Sequence, residues 1–226
     1  MHTHKILVWD APVRVFHALL GLSVAGAWLT AEADGWFLVH LTLGFTAGAL
    51  VLWRLLWGVV GTRHARFADF VRGPQAVRAY LRSLVAGQAP RMLGHNPLGA
   101  LAIVGLLGLG LVVPLSGWAT FNELGGEAFE EVHEVLGNAL LLLAGLHVAG
   151  IALASWLHRE KLVAAMVTGY KPGEPGQGIR RAWRPLAALM LALVLGFWAL
   201  QWRTAAQGGL LQPERVLVQV QDEDED

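Results

Sequence analysis

Cysteine is absent from all 226 residues. That excludes disulfides, thiolate metal sites, iron–sulfur clusters and the covalent C-x-x-C-H attachment of a c-type haem. Any metal or cofactor must be held by His, Met, carboxylates or backbone, and nine histidines are available. Charge is also scarce. Only 15% of residues are charged, where a soluble domain carries nearer a quarter, and 55% are hydrophobic. The formal net charge is zero, so no global basic balance points to nucleic acid as a partner. Such a surface must face lipid.

A membrane-spanning helix needs about 20 mostly apolar residues. Five stretches qualify: Val15–Ala31, Trp36–Val60, Pro97–Ala119, Val132–Leu157 and Pro185–Trp202. The expected fold class is an all-α integral membrane protein, a four-helix bundle with a fifth C-terminal span. Residues 1–170 are expected to form the transmembrane core. Residues 171–226 form an extension with the fifth span and an acidic tail that reads as extended or disordered from Gln207. Ala31-Glu32-Ala33 resembles a signal-peptide cleavage site. Cleavage there would discard His17, so an uncleaved first helix is expected.

The charges between spans are sorted by sign. Gly61–Asn96 carries Arg63, Arg66, Arg72, Arg78, Arg82 and Arg91 against Asp69. His158–Arg184 carries Arg159, Lys161, Lys171, Arg180, Arg181 and Arg184. The other two connections hold Glu32 and Asp34, and Glu123, Glu127, Glu130 and Glu131, with no Lys or Arg in either. The positive-inside rule then places the N-terminus and both basic loops in the cytoplasm of a bacterial inner membrane, with the C-terminus periplasmic. Within the first basic loop, Phe67–Ala86 alternates apolar residues and arginines as a basic amphipathic helix on an anionic leaflet would.

Ionisable residues inside a membrane are costly and therefore functional candidates. Four histidines fall within spans: His17, His40, His133 and His147. On the expected orientation His17 lies toward the cytoplasm, while His40 and His133 lie at the outer ends of spans two and four. His147 follows His133 by fourteen residues, which is roughly 21 Å deeper and, at about 100° per residue, within roughly 40° of the same helix face. The four form two depth-matched pairs, His17 with His147 and His40 with His133. A zinc ion needs three or four ligands at one point, and these residues separate into distant pairs. Two imidazoles on facing helices suit a non-covalent haem b instead. Gly21, Gly44 and Gly137 each follow a histidine by four residues, and Gly150 follows His147 by three. Glycine on that face would let a flat macrocycle approach.

Haem propionates need cations. Arg54 shares the face of His40 at the depth of the inner pair, and Arg14 lies one turn before His17. Both are candidate propionate or inner-rim contacts; the alternatives are a snorkelling Arg54 and an Arg14 that only sets topology. His95, at the entrance to span three, is a candidate for quinone proton exchange or a propionate contact, or an interface histidine with neither role.

At this point the sequence resembles the bacterial cytochrome b561 family, which includes the b-type cytochrome subunit of membrane-bound nickel–iron hydrogenases. The resemblance runs from Val8 to about Tyr170. It is carried by Trp9-Asp10-Ala11-Pro12-Val13-Arg14-Val15-Phe16-His17, by His40-Leu41-Thr42-Leu43-Gly44, and by Arg54-Leu55-Leu56-Trp57-Gly58. Gly94-His95-Asn96-Pro97-Leu98-Gly99, His133-Glu134-Val135-Leu136-Gly137-Asn138 and Leu146-His147 complete it. The resemblance implies a four-helix core with two haems b, the four histidines at the ligand positions, and quinone as a redox partner. The chain departs from the family at Ala18, where members often carry Trp, and its fifth span and tail lie outside the shared core.

The expected function is electron transfer between a quinone and a partner such as a hydrogenase, another periplasmic oxidoreductase or a c-type cytochrome. The alternative is a free-standing oxidoreductase, for example one that oxidises superoxide and reduces quinone. The acidic tail suits docking of a basic partner, or is simply solvated.

Overall fold

The protein is described here from a computed structural model covering residues 4–33, 35–205 and 209–210. The expected extended tail from Gln207, with its acidic run, lies outside the described residues except for Gly209 and Leu210. A short strand, β1 (His4–Leu7), leads into α1 (Ala11–Leu29) and α2 (Phe37–Val60). A 3-10 turn (Arg63–Ala65) and the small helices α3 (Phe67–Phe70) and α4 (Pro74–Val85) follow. Then come α5 (Pro97–Phe121), α6 (Glu127–His158), α7 (Leu162–Thr168), β2 (Tyr170–Gly173) and α8 (Arg184–Arg203).

Five of these helices, α1, α2, α5, α6 and α8, are long and apolar enough to cross a membrane. Their ends differ from the expected spans where capping chemistry takes over from hydropathy. α1 starts at Ala11 rather than Val15, because Asp10 caps it, accepting the Val13 N–H at 2.8 Å, and Pro12 suits the first turn. α6 starts at Glu127 rather than Val132, with Glu127 and Glu130 in its first turn facing the positive end of the helix dipole. α5 runs unbroken through Pro114. The amphipathic stretch expected over 67–86 is not one helix. It breaks at Val71–Gly73, where Pro74 starts α4 and its ring disfavours helical backbone in Gly73.

Both ends of the four-span core meet at one end of the bundle. β1 pairs antiparallel with β2, Leu7 opposite Tyr170. Gly169, with φ of +89°, turns its carbonyl to accept from Val8 N at 2.8 Å and Trp9 N at 3.1 Å. A Cβ there would stand 2.8 Å from the Trp9 carbonyl oxygen, so only glycine fits without strain. This end carries the arginine-rich connections and is called the basic end; the opposite one is the acidic end.

A buried apolar cluster lies where α1, α2, α5 and α8 meet, around Phe16, Leu19, Leu50, Val51, Leu107 and Met190. Lipid tails are as apolar as leucine, so close packing and polar contacts, not water exclusion, hold such helices together. α8 supplies both kinds. It packs on α1 and α2, and Trp198 Nε1 donates to Thr46 Oγ1 at 2.9 Å while Gln201 Nε2 donates to Thr42 Oγ1 at 3.2 Å. By contrast α6 packs along α5 and touches the α1–α2 pair at most marginally. The histidine-bearing helices α1 and α2 thus lie on one side of the bundle and α6 on the other, with α5 packed against both α2 and α6.

Candidate functional site

At the acidic end the fold brings His40 and His133 together. Their ring centroids are 6.1 Å apart and nearly perpendicular, at 83°. Each ring is oriented through Nδ1 by a neighbouring helix. His40 Nδ1 lies 2.8 Å from the Ala27 carbonyl oxygen of α1. His133 Nδ1 lies 3.1 Å from the Val113 carbonyl oxygen and 3.0 Å from Ser116 Oγ, both on α5. Donation from Nδ1 to a carbonyl holds the proton there and leaves Nε2 with a lone pair, the tautomer a metal-ligating histidine needs. Two imidazoles at this spacing suit one metal between them, with bonds of about 2 Å.

At the basic end His17 lies within electrostatic reach of His147. His17 is exposed on α1 and His147 is half-buried on α6. Ideal Cβ atoms built on Gly21, Gly44, Gly137 and Gly150 would meet nothing within 4 Å, so space opens beside the glycine that follows each histidine. Among the described residues no three His, Asp or Glu side chains converge as a zinc site would require.

Arg54 does not snorkel. It is 3% exposed, its Nη2 donates to the Ala65 carbonyl at 2.9 Å, and its guanidinium lies 5.2 Å from the centre of the Phe67 ring. Its Nη1 is buried with no hydrogen-bond partner among the described residues. Arg14 donates through Nη2 to the Val167 carbonyl near the end of α7, while its Nε is buried and unpartnered. His95 lies between Trp9 and Phe70, each ring centroid 4.6 Å from its own. The residue as a whole is half-buried, yet its Nδ1 is sealed and unpartnered. Burial first, and the nearby Arg54 charge second, push the His95 imidazole down to about 3, so it is neutral near pH 7. Arg14 Nε, Arg54 Nη1, His95 Nδ1 and Ser155 Oγ thus lie toward the basic end, each buried without a hydrogen-bond partner among the described residues. Unsatisfied buried groups are costly, and a buried anion such as a carboxylate would satisfy them. The residues present fit a b-type haem: imidazoles would hold the iron, and the donors at the basic end would meet carboxylates.

Sequence reasoning missed Asp10. It is fully buried and accepts from Val13 N at 2.8 Å, Trp57 Nε1 at 3.1 Å and Thr62 Oγ1 at 2.6 Å. One carboxylate thus joins the start of α1 to the end of α2. The signal was present as Asp before Ala-Pro at a helix start, but its two distant partners could not be read from it.

The model for the family described as prokaryotic cytochrome b561 matches residues 8–169. A probable Ni/Fe-hydrogenase B-type cytochrome subunit of Azotobacter chroococcum mcd 1 is 24% identical over 213 aligned residues, spanning 74% of this chain and 88% of that protein. A probable Ni/Fe-hydrogenase 1 B-type cytochrome subunit of Escherichia coli (strain K12) is 27% identical over 143 residues, 51% of this chain and 60% of that protein. No solved structure matches. The matched segment holds the four histidines, Arg14, Arg54 and His95, and it is bounded by β1 and β2. The chain belongs to the prokaryotic cytochrome b561 family, as a multi-pass bacterial membrane protein that binds b-type haem and takes part in electron transport.

Proposed function

We propose that the chain holds two haems b, one between His40 and His133 and one between His17 and His147, and relays electrons between a quinone and a protein redox partner. The observation that carries the reading is the acidic-end pair, with both Nδ1 atoms engaged by carbonyls, both Nε2 atoms free for iron, and 6.1 Å between ring centres. Haem supplies one-electron chemistry when bound. The chain's own residues set its position and potential. Ala27, Val113 and Ser116 fix the imidazoles, and Arg54, Arg14 and His95 present donors for propionates at the basic end. A haem iron held by two histidines would have no open site for a small ligand, which suits electron transfer.

The arginine-rich end faces the cytoplasm on this reading, by the positive-inside rule. The named relatives are hydrogenase cytochrome subunits, so a hydrogenase-like oxidoreductase at the acidic end is the first partner to test, with a c-type cytochrome second. Quinone is the other expected partner.

Haem-to-protein stoichiometry and low-spin spectra test the ligation. The purified chain should carry two haems. His40→Ala or His133→Ala should remove one or convert it to high spin, and His17→Ala or His147→Ala should do the same to the other. Two intact low-spin haems after any one of these changes sinks the assignment.

A further inference from the structure

We propose that the exposed stripe Arg78–Leu81–Arg82–Val85 of α4 is a docking surface for anionic phospholipid at the basic end. The proposal stands apart from the haem assignment. α4 joins the end of α2 to the start of α5 and packs on α5, so it rides where two spans enter the bilayer. Its protein-facing side is set by Tyr80, which is buried, with Val77 and Leu84 half-buried beside it. Arg78, Leu81, Arg82 and Val85 follow at i, i+3, i+4 and i+7, which places them together on the opposite side.

Three features of that stripe need explaining. Val85 is 89% exposed and Leu81 is 42% exposed, although both are apolar. The side chains of Arg78 and Arg82 make no ion pair or hydrogen bond with any described residue, whereas Arg66 pairs with Asp69 at 3.3 Å and Arg91 donates to the His158 carbonyl at 2.9 Å. Two like charges one turn apart repel, and α4 itself carries no acidic residue. A headgroup phosphate layer over acyl chains answers all three together. It neutralises the guanidiniums while Leu81 and Val85 enter the apolar boundary. A basic protein partner is excluded by sign, and an acidic soluble one would leave Val85 in water at its rim.

The native chain has no cysteine, so Val85→Cys creates a single site for a nitroxide label. The labelled holoprotein is placed in nanodiscs of phosphatidylcholine alone and of a mixture rich in phosphatidylglycerol. In the anionic discs the label should be reached by lipid-dissolved oxygen and shielded from a water-soluble nickel chelate. Neutral lipid should move it toward water. In anionic discs R78Q/R82Q should lower the docked-to-undocked ratio by about thirtyfold, roughly a factor of five for each arginine, with an unchanged haem spectrum as the check on folding. Equal accessibility in the two bilayers with both arginines intact would overturn the proposal. So would a label open to the nickel chelate in both, which would mark the face as one for a soluble protein instead.

Discussion

Arg54 is the residue at which burial, charge and chemistry meet. Its buried Nη1 has no partner among the described residues, its Nη2 is spent on the Ala65 carbonyl, and the Asp10 carboxylate lies within electrostatic reach. If Nη1 serves a propionate, Arg54→Leu leaves that carboxylate poorly compensated in a medium of low dielectric. The reduced haem carries one more negative charge than the oxidised one, so losing the cation disfavours reduction. The midpoint potential of the basic-end haem should fall by about 30–60 mV, the equivalent of roughly 0.7–1.4 kcal/mol for one electron. The acidic-end haem, roughly 21 Å away along the helix, should move much less. Redox titration decides it, and an equal shift in both haems, or none, returns Arg54 to a structural role. The four histidines and Arg54 could be singled out in the sequence because a polar group inside a membrane helix stands out, and Arg14 because it lies one turn before His17. Asp10 could not be, since its value comes from Trp57 and Thr62, far along the chain.

At the scale of elements, α8 shows how a helix outside the matched segment joins the bundle. Its hydrophobicity predicts a span but not a neighbour, because lipid and protein are equally apolar. The neighbour is chosen by Trp198 and Gln201, which meet the hydroxyls of Thr46 and Thr42 one turn apart on α2. A double-mutant cycle with Thr42→Val and Gln201→Leu should give a coupling of about 0.6 kcal/mol, the usual size for a hydrogen bond between membrane helices. Unfolding in mixed micelles measures it, and a coupling of zero would mean that shape alone seats α8. The break between α3 and α4 was hidden for a different reason. The apolar residues of 67–86 keep a helical rhythm on both sides of Val71–Gly73, and only the backbone restriction before Pro74 separates them. That separation lets Phe70 turn inward to His95 while α4 turns its arginines outward.

For the whole molecule, the alternation of signed connections made the architecture legible: four spans between β1 and β2 return the chain to its starting end, as the strand pairing requires. Reporter fusions after Gly87 and Pro172 should register cytoplasm, and fusions after Gly125 and at the C-terminus should register periplasm. A cytoplasmic C-terminus would contradict a fifth crossing by α8. The strand pairing itself was not foreseen, for four residues of each strand carry too little pattern to announce a partner so far away. It has a consequence for synthesis. β1 is made before the rest of the core, yet its partner is made only after α6 is complete. Closing so long a loop is slow, and until then the hydrogen-bonding edge of β1 has no mate in the chain. β1 thus precedes the core in synthesis and is finished after it, a clasp that can shut only once the whole core has been threaded through the membrane.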